Sequence, residues 1–292
     1  MTSTGKWLLV ALPVALSLSL PPGATVGIDL GTTNSAVSIL RDGVPSVVPN
    51  SRSQLTTPSV VAYMADGRVL VGDDALEQSA SNALDTVHAA KRFIGRPYER
   101  VKDYARIAGV SVEADSESGA AMFNLPACDE LLSPEAVSAA LLGALLDDAE
   151  RATGVRAQRA VITVPAYFDD RQCAATRAAA VLAGVADVSL LAEPVAACLA
   201  HQADQGAEGA EGLVLVFDLG AGTFDVSVLR IGGAGSVEVV ATSGDARLGG
   251  NDFDAVLLKW AQVRHLLFFR PSLRDPPSMT FASSCGRISL RP

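Results

Sequence analysis

The sequence is poor in the residues that build disulfide frameworks, zinc sites and nucleic-acid interfaces. It has 292 residues but only 4 cysteines and 3 histidines, and no Cys-x-x-Cys pair occurs. These scattered cysteines exclude a disulfide scaffold and a zinc site of the usual spacing, and they are predicted to be buried free thiols. Acidic residues outnumber basic ones, giving a formal net charge of −9. That balance argues against nucleic acid or an anionic membrane surface as the main partner.

The two commonest phosphate-binding loops are also missing. The sequence contains neither a G-x-x-x-x-G-K-[ST] stretch nor a G-x-G-x-x-G stretch that opens a helix. A P-loop or a Rossmann dinucleotide site is therefore not predicted. Hydrophobic residues nevertheless make up 49% of the chain, which is enough to bury the core of a large two-lobed domain or of two domains.

The middle of the chain alternates predicted strands and helices, which is typical of an α/β fold. Ser133, followed by a proline, predicts a helix start, because serine caps the first turn and proline is tolerated at its first position. Either Asp169 or Asp170 is predicted to cap the next helix. The segments 160–164 and 187–192 are predicted strands.

The flanking segments give fewer signals. The acidic stretch within residues 106–130 predicts a loop or an exposed hairpin without chemistry of its own. Toward the end of the chain, the Gly249-Gly250 turn is predicted to lead into a helix over residues 252–263.

Two short stretches, one in each half of the chain, repeat the same order of residues. Each is an apolar run that ends in Asp-Leu-Gly, continues with small or hydroxyl residues and leads into a second apolar run, over residues 26–40 and 214–231. This order predicts a strand, a tight glycine turn and a returning strand. Glycine lets backbone N–H groups approach an oxygen ligand closely, threonine adds hydroxyl donors, and aspartate supplies the oxygen ligand that Mg²⁺ prefers. Two such hairpins are predicted to grip a polyphosphate from opposite sides.

The two hairpins and five further segments resemble the heat-shock protein 70 family, the DnaK-like chaperones of the actin and sugar-kinase ATPase superfamily. The further segments are Thr57–Val61, Lys91–Arg96, Val164–Phe168, Glu193-Pro194 and Leu248–Asp254. The resemblance implies an α/β, actin-like (ribonuclease H-like) ATPase domain over residues 25–262. Its first lobe would cover about 25–190, and an incomplete second lobe about 191–262, followed by an irregular tail over 263–292.

The resemblance also implies a site for ATP or ADP with Mg²⁺. Asp29 and Asp218 would hold Mg²⁺ through waters, and Lys91, Glu193, Asp218 and Thr223 would position water for attack on the γ-phosphate. The residues implied to border the nucleotide are Gly31, Thr32, Thr33, Asn34, Gly220, Ala221, Gly222, Gly249 and Gly250.

Three departures from the family pattern bear on activity. Ala221 stands where the family has a glycine, which would strain the turn by roughly 1 kcal/mol or more if that position required a positive φ. Cys173 stands where the family has an arginine associated with coupling ATP state to the peptide-binding domain. The sequence after about residue 263 has no family counterpart, and the peptide-binding domain is not in it.

Three functions follow from these features. The first is an ATP-hydrolysing chaperone domain, for which a J-domain co-chaperone and a nucleotide exchange factor are the implied partners. Unfolded-protein clients are not expected for this chain alone. The second is an inactive remnant or co-chaperone-binding module without ATP turnover. The third is a sugar or acetate kinase of the same superfamily, against which Lys91–Arg96 and Val164–Phe168 speak.

The first 24 residues have the layout of a targeting segment. Lys6 precedes the apolar run 7–20, which is followed by Pro-Pro-Gly-Ala. That order is typical of a secretory signal, and the run is too short for a stable membrane span. Asn34 gives the resemblance a bacterial or organellar character. The protein is therefore expected either in a plastid reached through a secretory route or, if the leader is not native, in the cytoplasm.

Overall fold

The computed structural model describes residues 25–205, 211–233, 236–245 and 247–268. The predicted leader and the tail beyond residue 268 lie outside the described residues. The strands are β1 (Thr25–Asp29), β2 (Asn34–Arg41), β3 (Val44–Val47), β4 (Thr57–Pro58), β5 (Val60–Tyr63), β6 (Val69–Val71), β7 (Thr86–His88), β8 (Val112–Ala114), β9 (Ala121–Phe123), β10 (Arg159–Val164), β11 (Asp187–Ala192), β12 (Gly212–Leu219), β13 (Phe224–Ile231) and β14 (Val237–Asp245). The helices are α1 (Asp73–Gln78), α2 (Tyr98–Ala108), α3 (Pro134–Thr153), α4 (Asp170–Leu182), α5 (Glu193–Gln205) and α6 (Gly250–Phe268), with 3-10 turns at Ala83–Asp85 and Ala90–Arg92.

Contacts group the chain into two units that divide after Gly250. The second unit contains α6 from Asn251 onward. In the described part of the chain, no helix has the length and apolar character needed to cross a bilayer.

The first sheet creates the edge on which the candidate site forms. Its order is β11-β10-β1-β2-β3, with β11, β10 and β1 parallel and β2 antiparallel to β1. The carboxyl ends of parallel strands lie at one edge of a sheet, where open α/β sheets collect functional groups. Asp29 ends β1, Pro165 follows β10 and Glu193 follows β11. The topology therefore brings these three positions to the same edge.

The second sheet is the antiparallel meander β12-β13-β14. One face packs on α5, where Cys198 is buried with Leu229 and Ile231. On the other face of β12, Leu215 and Phe217 remain largely exposed in the described structure. The second hairpin thus has one packed face and one open apolar face.

The main hydrophobic core fixes the segment that carries Lys91. This core packs α3 and α4 against the first sheet and includes Phe93 and Ile94, which are fully buried. The Phe93 ring lies 5.0 Å from the Phe123 ring and 5.5 Å from the Tyr104 ring, measured between centroids. Burying two large side chains directly after the 3-10 turn contributes several kcal/mol and holds Lys91 in one place.

The predicted helix starts are confirmed. The Ser133 hydroxyl accepts a hydrogen bond from the Ala136 amide at 3.1 Å, and α3 begins with proline. Of the two candidates for the next cap, it is Asp169 that caps α4, in a reciprocal capping box with Gln172. The acidic stretch within residues 106–130 forms the β8–β9 hairpin.

Two helices differ from the sequence prediction. The helix α2 was not predicted, because it begins after Pro97 and has no side-chain cap to mark its start. The helix α6 begins at Gly250 and runs to Phe268. The first residues of the segment predicted to be an irregular tail are therefore helical, so that part of the prediction was wrong.

The expectation that the cysteines are buried free thiols is only partly correct. Of the cysteines that the structure describes, Cys128, Cys173 and Cys198 are free and only Cys198 is fully buried, while Cys285 lies outside the described residues. Cys173 lies on α4, half-buried, with its sulfur 4.0 Å from the Phe168 carbonyl oxygen. Desolvation raises the pKa of the Cys173 thiol above its ordinary value, which makes it a poor nucleophile at neutral pH.

Replacing Gly95 with alanine is expected to destabilise the fold by about 3 kcal/mol or more. Gly95 has a φ of 65°, and a Cβ there would lie 2.6 Å from the Gln172 Cα and 2.8 Å from the Arg171 carbonyl oxygen. The cost combines left-handed backbone strain with overlap against the start of α4. The measurement is the free energy of unfolding in urea.

Gly109→Ala is the matched control for this change. Gly109 has a similar φ of 70°, but a Cβ there would meet nothing within 4 Å. It should therefore lose only the strain contribution of about 1 kcal/mol. Equal losses in the two variants would show that the contact between Gly95 and α4 does not hold this segment.

Candidate functional site

A buried ion pair joins the two parts of the chain that meet at the sheet edge. The Lys91 ammonium lies 2.5 Å from a carboxylate oxygen of Glu193, and the two side chains are 10% and 11% exposed. Lys91 comes from the 3-10 turn before the core segment, and Glu193 opens α5. A buried carboxylate and ammonium require each other, because removing one partner leaves an uncompensated charge.

Asp29 lies at the end of β1 and interacts electrostatically with both members of this pair. The Thr163 hydroxyl, on the neighbouring strand β10, donates a hydrogen bond of 3.0 Å to Asp29 Oδ1. Desolvation first, and then repulsion by Glu193, raises the pKa of Asp29 to about 6, although Lys91 and the Thr163 hydrogen bond oppose the rise. Asp29 is thus a carboxylate whose surroundings favour added positive charge.

Asp218 and Asp225 face each other across the second hairpin. They are directly paired in the antiparallel register of β12 and β13, and like charges in that position repel. Desolvation, followed by repulsion from Glu193, raises the pKa of Asp218. Desolvation also raises the pKa of Asp225, to about 6, with further contributions from Glu193 and Asp218. Asp225 is 7% exposed, and its buried Oδ1 has no hydrogen-bond partner. An acceptor left unpaired in this way is suited to a cation or an ordered water.

The segment that begins at Thr57 supports the first hairpin turn through hydrogen bonds from Ser59. The Ser59 hydroxyl donates to the Gly31 carbonyl at 2.8 Å, and the Ser59 amide donates to the Thr33 carbonyl at 2.8 Å. A Cβ on Gly31 would collide with the carbonyl of Asn34. Only glycine therefore permits this close turn, which ends where exposed Asn34 starts β2.

The second hairpin turn is closed in a comparable way. The Gly220 amide donates to the Thr223 carbonyl at 2.9 Å, and the Gly250 amide donates to the Gly220 carbonyl at 3.0 Å. A Cβ on Gly249 would collide with the backbone of Ala221 and Gly222. Gly249 and Gly250, at the start of α6, therefore pack on the second hairpin turn.

Alanine at position 221 does not strain the turn. Among the described residues, the only non-glycine positions with positive φ are Asp42, Ser53 and Ala89. The φ of Ala221 is therefore negative, a conformation that alanine adopts freely. This departure from the family pattern carries no backbone cost.

Arg92 joins the first lobe to the second hairpin and was not predicted as a site residue. Its guanidinium donates to the Gly222 carbonyl at 2.5 Å and stacks on the Tyr104 ring, 4.6 Å from the ring centroid. A Cβ on Gly222 would collide with this guanidinium. The sequence signal was its position beside Lys91 in the Lys-Arg-Phe-Ile-Gly-Arg segment.

Thr163 and Asp225 were also missed as site residues. Asp225 could have been found from the hairpin alone, because the turn length places it opposite Asp218. Thr163 could not have been found from the sequence, since its contact with Asp29 depends on the pairing of strands more than 130 residues apart.

The structure brings most of the predicted site residues together. Lys91, Glu193, Asp29 and Asp218 influence one another electrostatically. Thr32 and Thr223 line one cavity together with Lys91. Asn34 and Thr33 belong to the braced first turn, and Gly249 and Gly250 to the closed second turn.

The carboxylates form a diffuse set and not a chelating cage. Within the described residues, no three histidine, cysteine, aspartate or glutamate side chains are grouped so that they could bind a metal ion directly. Mg²⁺ keeps several of its waters and is commonly held by one or two carboxylates together with phosphate oxygens. Asp29 and Asp218, both with raised pKa values, suit that mode of binding.

Comparison with known proteins agrees with this architecture. The family model described as "Hsp70 protein" matches residues 25–265. The chaperone protein dnaK of Cyanidioschyzon merolae is 46% identical over 235 residues, which are 80% of this chain and 38% of that protein. The chaperone protein dnaK3 of Thermosynechococcus vestitus is 46% identical over 238 residues, 82% of this chain and 34% of that protein. The chaperone protein dnaK of Guillardia theta is 41% identical over 272 residues, 92% of this chain and 43% of that protein.

The sheets, helices and two glycine hairpins define a mixed α/β domain of the actin-like ATPase class. The family match covers most of the chain, and the chain accordingly belongs to the heat-shock protein 70 family. It spans between 34% and 43% of the length of these three relatives.

Asp225→Asn is expected to stabilise the metal-free protein at pH 7 by up to about 3 kcal/mol. A pKa raised to about 6 means that the folded state binds more protons than the unfolded state between about pH 4 and pH 6. Stability therefore falls as the pH rises through this window, and the loss persists above it. The amide removes that penalty. The measurement is urea unfolding in EDTA from pH 4 to pH 8.

Glu238→Gln provides the control for this experiment. Glu238 is exposed on β14 and pairs with Arg230, so its loss should change stability by no more than about 0.5 kcal/mol. If Asp225→Asn were less stable than the parent protein at pH 7, the interpretation of Asp225 as a repelled carboxylate with one unpaired oxygen would be wrong.

Proposed function

We propose that this chain is the ATP-binding and ATP-hydrolysing domain of a DnaK-like chaperone that acts in protein folding. The observation that carries the proposal is the buried Lys91–Glu193 pair among the aspartates of two glycine hairpins. Phosphoryl transfer to water is catalysed mainly by positioning and charge neutralisation. A lysine, carboxylates and backbone amides around one point are the groups that this chemistry requires.

The donor set fits a magnesium ion with a polyphosphate. Lys91 pairs with Glu193 and interacts electrostatically with three aspartates, Asp29, Asp218 and Asp225, all of which have raised pKa values. Such a cluster is stabilised by added positive charge. Mg²⁺, held through water by Asp29 and Asp218, would supply that charge and neutralise the phosphates.

The two hairpin turns fit the phosphate groups. Gly31, Gly222 and Gly249 each lie where a Cβ would collide with neighbouring atoms, so the backbone is packed closely at both turns. Closely packed glycine turns present amide donors to anionic oxygens. Thr32, Thr33, Asn34 and Thr223 would add polar side-chain groups, and Gly220, Ala221 and Gly250 complete the second turn.

The side chains at the sheet edge would orient the attacking water. Lys91 would bind a γ-phosphate oxygen, while its ion pair fixes the Glu193 carboxylate. Glu193, Asp218 and Thr223 would hold the water in line with the bond that breaks. We further propose, from membership of the heat-shock protein 70 family, that a J-domain co-chaperone and a nucleotide exchange factor are partners and that the ATPase domain extends over about residues 25–262.

Mg-ATP is expected to bind the full chain with micromolar affinity and to raise its melting temperature. A ligand at 100 times its Kd stabilises the folded state by about 2.7 kcal/mol. Asp29→Asn or Asp218→Asn should weaken binding at least about tenfold, because each removes a negative charge that would hold the metal through its waters. Calorimetry and thermal melts provide the measurement.

Asp66→Asn is the control, since Asp66 is exposed on a turn and pairs with Arg68. It should bind Mg-ATP like the parent protein. If a cooperatively folded parent protein did not bind Mg-ATP, the proposed function would be refuted and a remnant without nucleotide would be the better description.

Glu193→Gln is expected to lower ATP turnover by about 10²-fold or more while Mg-ATP affinity stays within a few-fold. Glutamine keeps an oxygen for Lys91 but loses the charge that orients water. The measurement is single-turnover hydrolysis followed as ADP formation, with Glu238→Gln as the control. Unchanged turnover in Glu193→Gln would show that Glu193 has no part in the mechanism. If the parent protein bound Mg-ATP without any turnover, the chain would be a binding module and not an enzyme.

A further inference from the structure

A cavity beside the carboxylate cluster has the opposite charge. It is an open pocket whose empty volume, counted together with the adjoining solvent, is about 530 Å³. Four arginines line it, Arg92, Arg96, Arg100 and Arg247, together with Lys91, and no carboxylate is among its lining residues. In a chain whose net charge is −9, such a concentration of cations is unexpected for an ordinary surface.

In the described part of the chain, the four arginines are not matched by carboxylates. None of them forms an ion pair within the described residues, whereas Arg52, Arg68, Arg151, Arg156 and Arg230 all do. The Nε of Arg92 is buried and has no hydrogen-bond partner. A buried donor without an acceptor is costly. Guanidinium groups without a carboxylate partner are stabilised by an anion that supplies acceptor oxygens to their other N–H groups.

The geometry points to a small tetrahedral oxyanion. Guanidinium groups donate in pairs to phosphate oxygens, and the ring of Tyr104 under Arg92 holds one guanidinium plane in position. Thr32, Thr223 and Tyr167 add hydroxyl groups to the lining. We propose that this arginine cavity binds inorganic phosphate and is the path by which phosphate leaves after ATP hydrolysis.

The connection to hydrolysis lies in three shared residues. Lys91, Thr32 and Thr223 line the arginine cavity and also belong to the proposed nucleotide site. Hydrolysis breaks the bond from the γ-phosphorus to the bridging oxygen, joins that phosphorus to the water oxygen, and releases a proton to solvent. The free phosphate would then move from Lys91 to the arginines of the cavity. The role in release rests on the ATPase function proposed above, whereas phosphate binding to the cavity does not.

The first test is equilibrium binding of inorganic phosphate to the full chain without nucleotide, at constant ionic strength in chloride. Calorimetry or ³¹P line broadening follows binding in the parent protein and in the double variant Arg96→Gln/Arg100→Gln. Loss of two charge-assisted contacts should weaken binding about tenfold or more.

The control is Arg106→Gln, because Arg106 lies on the same helix α2 but is exposed and paired with Asp103. It should bind phosphate within about twofold of the parent protein.

Two results would overturn the phosphate site. One is a folded parent protein that does not bind phosphate, and the other is equal binding by the parent and the double variant, which would put phosphate in the hairpin turns. Thermal melts should show that both variants remain folded, since the substituted side chains are outside the core.

A second measurement separates this proposal from the proposed ATPase function. Mg-ADP should still raise the melting temperature of the double variant, and release of phosphate after one turnover, followed with a phosphate-binding fluorescent sensor, should be slowed about tenfold. Unchanged release would overturn the exit path. Arginine-dependent phosphate binding in a protein that fails to bind Mg-ATP would uphold the site while refuting both the ATPase function and the release role.

Discussion

The ion pair between Lys91 and Glu193 is the interaction on which the candidate site depends. It joins a 3-10 turn of the first lobe to the first residue of α5, 102 residues later in the chain. The pair is buried, so neither partner tolerates the loss of the other. Around it, three aspartates have raised pKa values because burial and the Glu193 charge act together. The folded chain therefore carries a concentration of negative charge that one lysine does not balance.

Both hairpins present an aspartate before a glycine turn, but their surroundings differ. In the first, Ala36 lies opposite Asp29, and the hydroxyl of Thr163 satisfies one carboxylate oxygen. In the second, Asp225 lies opposite Asp218 and keeps an unpaired oxygen. The repeat in sequence thus produces two similar turns with unequal electrostatics. The second hairpin carries more of the uncompensated charge, which makes it the more dependent of the two on a cation.

The sequence predicted the parts of the site that are local in the chain. Hairpins, helix caps and glycine turns are specified by residues within one or two turns of each other, and Ser133 and Asp169 behave as expected. The helix α2 was missed because no capping side chain marks its start. The position of Thr163 and the contact between Arg92 and Gly222 depend on tertiary packing, which no local pattern encodes.

The sign of the backbone angle at Ala221 illustrates the same limit. Sequence reasoning could state the consequence of either sign but could not choose between them, because the choice depends on how the turn packs against Gly249 and Arg92. The structure has a negative φ there, so the alanine is compatible with the turn. A departure from a family pattern therefore has an energetic meaning only when the backbone conformation at that position is known.

Lys91 borders two groups of opposite charge, the carboxylate cluster and the arginine cavity. The carboxylates come from one set of elements, the end of β1, the start of α5 and the second hairpin. The arginines that have no carboxylate partner among the described residues come from another set, the segment after Lys91, the start of α2 and the loop that follows β14. A cation is attracted to the first group and an anion to the second, and neither group neutralises the other in the described structure. Lys91 takes part in both environments, since it pairs with Glu193 and also lines the arginine cavity. The fully buried Phe93 and Ile94, which follow it in the chain, hold its segment in the core of the first lobe.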